Sequence, residues 1–200
     1  MVNLDKYAGL IFDMDGTLLD TMPAHLEAWA ITAQHFGFEF ERTWLHSLGG
    51  MPSFKIVSEI NRKLALNLDP ETVSKYKMHT FTNLKDKGSI IPCSHNVLTH
   101  YHGKKKLAVG TGSQRISAMS LLKNHDIVPL LDSIVTATDV VNHKPSPDTF
   151  LKACEELNLT PSECVVFEDT ELGKKAAHAA GMDCVMVVNG DKLEFHPYSE

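Results

Sequence analysis

The sequence predicts an α/β fold, a Rossmann-like doubly wound parallel sheet into which an α-helical cap domain is inserted. Three observations carry this expectation. Short apolar runs bounded by turn residues recur at Ala8 to Phe12, Leu107 to Val109, Ile134 to Ala137, Val165 to Phe167 and Val185 to Val188, and such runs read as strands buried on both faces. Helical patterns alternate with the later runs, and strand alternating with helix argues a parallel, doubly wound sheet. Between the first and second runs the chain carries helical periodicity and no strand-like run, most simply a cap inserted after the first strand.

The predicted cap begins just after the first strand. Leu26, Trp29, Ala30, Ala33 and Phe36 keep a 3.6-residue spacing that closes at Gly37, a residue suited to the position after a helix. Ile56, Val57, Ile60 and Leu64 repeat the pattern after Ser53, read as an N-cap. A third helix opens at Asp69-Pro70, an N-cap followed by a proline at the first helical position, and carries Val73, Tyr76, Phe81 and Leu84. Residues 21–87 form the expected cap domain, and 1–20 with 88–200 the expected sheet domain. Leu19 to Thr21 and Lys85 to Gly88 are the expected linkers, side by side because an inserted domain leaves and re-enters at neighbouring points.

In the sheet domain three helices are marked by Ile116, Met119 and Leu122 after Ser113, by Phe150, Leu151, Cys154 and Leu157 after Pro147, and by Leu172, Ala176 and Ala180 before Gly181. Asn189 to Glu200 has no apolar period and reads as a loose tail.

Composition narrows the function classes. The 200 residues are 43% hydrophobic and 22% charged, which suits one core with a small appendage and excludes disordered and collagen-like chains. Nineteen Lys and Arg against 25 Asp and Glu leave a formal charge of -6, so no positive field draws the protein to nucleic acid or a membrane surface. Lys104-Lys105-Lys106 accordingly reads as a solvated turn. Any phosphate must be caught by a local site. Cys93, Cys154, Cys164 and Cys184 fall outside CxxC spacing and read as reduced, mostly buried thiols. The first apolar run is broken by Asp13, too early for a signal-peptide core or a membrane span. A soluble, cytoplasmic monomer is the expectation.

Asp13-Met14-Asp15-Gly16-Thr17 places two carboxylates two residues apart at the carboxyl end of the first strand, the end at which open parallel sheets bind ligands. The strand period sends both side chains roughly the same way, and Gly16 lets the chain turn. Two such carboxylates repel one another without a cation, so the pair asks for a hard metal ion such as Mg2+. Taken alone, the motif also fits a solvated acidic turn. Three further loops weigh against that. Thr111-Gly112-Ser113 closes the second strand at a helix start, where free N–H groups suit a phosphate, although a plain helix cap is the commoner meaning. Lys144 stands in a proline-stiffened loop, Asn142 to Asp148. Glu168-Asp169 follows the fourth strand as a second source of metal oxygens, or as an ordinary acidic helix start. The weight lies in the ordered combination, each motif at a strand end.

Through YAGLIFDMDGTLLDT, AVGTGS, NHKPSPDTF and VVFEDTELGKKAAHAAGM, which run over nearly the whole chain, the protein resembles the haloacid dehalogenase superfamily. Within it the resemblance is to beta-phosphoglucomutase-like proteins and small sugar-phosphate phosphatases of the fructose-1-phosphatase type. The resemblance implies that Asp13 is the nucleophile, forming an aspartyl phosphate, and that Asp15 is the general acid and then the base. It gives Thr111, the Gly112 N–H and Lys144 the transferring phosphoryl oxygens. Asp13, Asp169 and the Asp15 carbonyl become Mg2+ ligands, with Glu168 behind them or bound through water. His25 matches a family histidine beside the acid, where it orients Asp15 or the substrate; it also fits a partly exposed helix histidine.

The implied activity is a Mg2+-dependent phosphatase for small phosphorylated metabolites such as fructose 1-phosphate. A hexose-phosphate mutase is the alternative, differing in what accepts the phosphoryl group. Mutases of this family grip a second phosphate with a cap arginine, and Ser53 stands in its place here, which favours hydrolysis; Lys55 lies nearby as partial compensation. A receiver-type signalling module shares the Asp, Thr and Lys chemistry, but its phosphoacceptor follows a middle strand and no helical insertion follows it. No HExxH or zinc-spaced cysteine pattern is present.

Overall fold

The computed structural model describes residues 3–199. Six strands form one sheet: β1 (Gly9–Phe12), β2 (Lys106–Gly110), β3 (Ser133–Val135), β4 (Cys164–Glu168), β5 (Asp183–Val188) and β6 (Lys192–His196). Their spatial order is β3-β2-β1-β4-β5-β6, with the first five parallel and β6 antiparallel to β5. Every residue of β1 and β4 is buried, as central strands covered on both sides require. The strand order reverses beside β1, so the loops leaving β1, β2 and β4 open into one crevice.

The two-residue period divides the core between the faces. Leu10 and Phe12 join Leu107, Val109, Val165 and Phe167 on one side, and Phe12 stacks on Phe167 with centroids 4.5 Å apart. Ile11 joins Ala108, Val166 and Cys184 on the other. Helices α5 (Pro92–Tyr101) and α6 (Arg115–Asn124) cover the first face, and α7 (Asp148–Glu156) and α8 (Glu171–Ala179) the second. Each fully buried Leu, Ile, Val or Phe contributes about 1.5–3 kcal/mol, so the site rests on the most heavily stabilised part of the chain.

Four helices precede this layer: α1 (Met22–Phe36), α2 (Arg42–Ser47), α3 (Ser53–Leu64) and α4 (Pro70–Asn83). Leu26, Trp29, Leu45, Val57, Ile60 and Val73 give them a separate apolar cluster. The α1 helix ends at Gly37 with φ 72°. Asp69 caps α4 by accepting from the Thr72 N–H at 2.8 Å. Ser53 is not a cap: Pro52 holds that position without a side-chain bond, and the Ser53 hydroxyl turns to the Met78 sulfur at 3.5 Å. The two connections run side by side, with the Asp20 N–H on the Ser89 carbonyl at 2.8 Å and Leu19 bridged to Ile90.

The structure departs from the sequence reading in three further places. The expected loose tail contains β6, an edge strand whose Lys192 and Glu194 face solvent and pair with each other; Glu200 lies outside the described residues. The third strand stops at Val135, and Ala137 opens a 3-10 turn capped by Thr136. Helices α2 and α5 are further elements: α2 buries Leu45, and α5 buries Ser94 and Leu98 with Val97 and Tyr101 packed beside them against the core. Among the described residues no helix is long and apolar enough to cross a membrane.

Candidate active site

The site is built from the turn after β1. Asp13 continues the strand, its N–H on the Phe167 carbonyl at 2.9 Å, and the residue is 2% exposed. Gly16 then reverses the chain at φ 86°. A side chain there would strike the Asp169 carboxylate, so the glycine is what lets the first and fourth loops meet. Thr17 ties them, its hydroxyl donating to Asp169 Oδ1 at 3.2 Å.

Lys144 enters from the loop before α7 and is 1% exposed. Its ammonium lies 2.5 Å from Asp13 Oδ1 and 2.7 Å from Glu168 Oε1. The second oxygen of Glu168 accepts from the Asp169 and Thr170 N–H groups, both at 2.8 Å, and from the Thr170 hydroxyl at 2.9 Å. Both Glu168 oxygens are thus engaged by protein donors. That is the geometry of a brace behind Lys144. Gly173 makes the arrangement possible, since a Cβ there would overlap the Glu168 carboxyl group.

From β2, Thr111 is 1% exposed, and its hydroxyl accepts from the Ser113 N–H at 3.0 Å. Asp15 is held by short bonds from Thr21 and Ser113 hydroxyls, both 2.6 Å, with His25 Nε2 at 3.3 Å and Thr111 Oγ1 at 3.5 Å. Its carboxylate therefore faces the cap helices, while Asp13 and Asp169 flank the β1 turn. Gly112 lies directly under the Gly50 carbonyl of the α2–α3 loop, leaving no room for a side chain.

Electrostatics separates these carboxyls. Burial raises Asp13 well above the usual carboxylate range, partly offset by Lys144 and reinforced by Glu168 and Asp15. Burial likewise raises Asp169, with Glu168 and Asp13 adding repulsion. Burial pushes Asp15 the same way, yet the His25, Ser113 and Thr21 bonds outweigh it and hold Asp15 far below the usual range. Lys144, despite burial, is held charged by Asp13 and Glu168.

Asp13 and Glu168 share one ammonium with Asp169 close beside them, an arrangement that a divalent cation would neutralise. The donor chemistry fits Mg2+, which takes oxygen ligands, uses one or two carboxylates and keeps several waters. Among the described residues no three His, Cys, Asp or Glu side chains converge tightly enough to enclose an ion, so Asp13 and Asp169 would hold it with backbone and water oxygens.

Between these loops and the helices above lies a cavity of about 60 Å³, room for only a few waters. Asp13, Asp15 and Thr111 line its base, and Trp29, Ser53 and Lys77 its roof. Lys77 went unnoticed in the sequence. It is 2% exposed, its ammonium 2.6 Å from His25 Nδ1 and 5.6 Å from the centre of the Trp29 ring. His25 stacks on Phe81 at 4.1 Å, and burial and the neighbouring Lys77 lower its pKa. The signal was present: Lys77 sits midway between the buried Val73 and Phe81 at helical spacing.

The family model described as haloacid dehalogenase-like hydrolase matches residues 10–187. The chain belongs to that family. This hydrolase is 40% identical over 184 residues to fructose-1-phosphate phosphatase YqaB of Escherichia coli (strain K12), covering 92% of the chain and 97% of that protein. It is 30% identical over 179 residues to a phosphorylated carbohydrates phosphatase of Thermotoga maritima, covering 87% and 82%. A crystal structure of beta-phosphoglucomutase from Clostridium difficile superposes with a TM-score of 0.80 at 25% identity, covering 90% of this chain and 84% of that one. The hydrolase is therefore an enzyme whose relatives include named phosphatases, and its α/β fold is that of its structural neighbours.

Proposed function

We propose that this hydrolase is a Mg2+-dependent phosphatase of small phosphorylated sugars, fructose 1-phosphate among them, acting through an aspartyl phosphate on Asp13. The observation that carries this reading is the placement of Asp13 at the cavity base, between the Lys144 ammonium and a second, differently tuned carboxylate, Asp15. Burial raises Asp13 in the ligand-free site, so its attack as a carboxylate depends on the positive charge of Lys144 and of a bound cation, while Asp15 is held apart from it on its own donors.

In this reading the Asp13 carboxylate attacks phosphorus while the bond to the sugar oxygen breaks, and Asp15 gives that oxygen its proton. Asp15 then takes a proton from a water that attacks the aspartyl phosphate, releasing inorganic phosphate and restoring Asp13. In the ligand-free site Asp15 is held ionised, the state needed for the second half. A phosphate dianion beside it works against that ionisation and favours the acid needed for the first half. Lys144, the Thr111 hydroxyl and the Gly112 N–H supply fixed donors for the equatorial oxygens. Mg2+, when bound by Asp13 and Asp169, supplies positive charge that offsets repulsion between the nucleophile and the phosphoryl group. Glu168 acts indirectly by holding Lys144.

Residues 21–87 serve as a cap that opens to admit substrate and closes to exclude bulk water. Ser53 at the roof lacks the charge and fork needed to grip a second phosphate, which favours water over a sugar hydroxyl as the acceptor. The test is phosphate release from a panel of phosphosugars with Mg2+. Release that needs Mg2+ and is lost in Asp13→Asn supports the reading; no release from any member, or undiminished release by Asp13→Asn, overturns it.

A further inference from the structure

The carboxyl end of the sheet opens in two directions. The cavity described above is roofed by cap residues and pinched where the Gly50 carbonyl rests on Gly112, so a phosphosugar enters only when the cap lifts. On the other side of the β1 turn a cleft of about 520 Å³ reaches Gly16 and Asp169 from solvent. It passes between the two connections and the loop after β5, with Asp20, Ser89 and Asn189 along it. Neither Asp13 nor Asp15 lines it, and neither Gly16 nor Asp169 lines the cavity.

Two independent observations give this cleft a role. First, Asp169 is partly exposed although Asp13 and Glu168 beside it are buried, and the cleft is where that exposure arises. Secondly, the ionisable residues lining the cleft are Asp20, Asp169 and His46, with no lysine or arginine. Such a passage attracts a cation and repels a phosphate dianion.

We propose that the divalent cation and the phosphate ester reach the site by separate doors: the ester under the lifted cap, the cation through the Asp20–Asn189 cleft with the cap closed. The inference rests on the cation site proposed above at Asp13 and Asp169. Asp20 acts on the rate at which a cation arrives and is not itself a ligand. Cation exchange is then independent of cap position, and an enzyme that closes before acquiring its metal is not trapped in a dead form.

The experiment fixes the cap shut and follows the metal. Phe54 on α3 and His143 on the sheet domain pack edge to face at 5.7 Å, and neither lines the cavity. In a Cys93→Ser background, Phe54→Cys and His143→Cys are joined by a short bismaleimide, and Mn2+ uptake and release into excess EDTA are followed by electron paramagnetic resonance. The expected result is Mn2+ exchange within about threefold of the unbridged protein, while turnover of phosphate esters falls by at least about 100-fold. Loss of Mn2+ exchange together with turnover overturns the proposal.

Asp20→Lys provides a second measurement on an otherwise native chain. It is expected to slow Mn2+ association by roughly tenfold at low ionic strength, with the difference shrinking in high salt. An unchanged Mn2+ rate overturns the proposal. Absence of Mn2+ binding in the unmodified protein overturns instead the cation site on which the inference depends.

Discussion

Lys77 Nζ stands 2.6 Å from His25 Nδ1, and the opposite nitrogen of the same ring stands 3.3 Å from Asp15 Oδ1. A cap lysine is thereby linked through one imidazole to the carboxylate proposed as acid and base. Burial lowers Lys77 to about 7, against a weaker pull upward from Asp15. Small changes in what fills the cavity therefore change the charge of its roof.

Lys77→Met tests the cost of that burial. The folded-state value lies below the unfolded one, so the native protein binds fewer protons between about pH 7 and 10 and gains stability as pH rises through that window. The penalty is greatest below pH 7. Lys77→Met, which keeps the volume without the charge, is expected to be more stable than the parent at pH 6 by roughly 1–3 kcal/mol. The difference should vanish towards pH 10. Urea unfolding across this range measures it, and a variant less stable at pH 6 would contradict the assignment.

Asp15→Asn separates the two proton transfers proposed for one residue. A p-nitrophenyl ester has a leaving group that needs little protonation, so attack by Asp13 should still release nitrophenol in the variant. Hydrolysis of the aspartyl phosphate lacks its base and should slow by about 10²–10⁴-fold. Rapid mixing is expected to show a burst near one equivalent with the nitrophenyl ester and none with a phosphosugar. Equal losses without a burst would assign Asp15 elsewhere.

Gly173→Ala probes the brace behind Lys144. Its Cβ would occupy the space of the Glu168 carboxyl group, forcing that side chain off Lys144 and off the start of α8. A buried charge pair broken in this way costs on the order of 3 kcal/mol. The expected result is a lowered unfolding midpoint with lost turnover, whereas Gly37→Ala, at a position with open space around it, should pay only for its positive φ and leave turnover intact.

The sheet was legible because its strands are unbroken apolar runs, and the motif residues because each sits where a run ends. The same logic explains what was missed. Helix α2 is too short to display a period, and the first two turns of α5 offer mostly polar residues, Cys93 to Asn96, before Val97, Leu98 and Tyr101 reach the core. The β6 strand is an edge whose side chains are half-buried at most, so tertiary pairing with β5 defines it and not its composition. Lys77 escaped notice because lysine on a helix ordinarily reads as solvated; its burial depends on His25, Trp29 and Phe81, which converge only in three dimensions. Asp15 was legible as a carboxylate, but its ionisation depends on donors from Thr21 and Ser113 in separate loops.

Cap closure has its own test at Gly112. Its φ is not in the left-handed region, so alanine is compatible with the local backbone and retains the N–H proposed to meet a phosphoryl oxygen. The added methyl collides with the Gly50 carbonyl only when the cap is down. Gly112→Ala is therefore expected to leave the open protein folded, with an unfolding midpoint close to the parent's, and to hold the cap ajar. A misplacement of this size costs about 10–100-fold in turnover. Small-angle scattering with orthovanadate should show compaction in the parent and less in the variant. Gly50→Ala, at φ 86°, would confuse closure with backbone strain, which makes Gly112 the cleaner site. Full compaction with unimpaired turnover in Gly112→Ala would show that the Gly50–Gly112 contact does not limit closure.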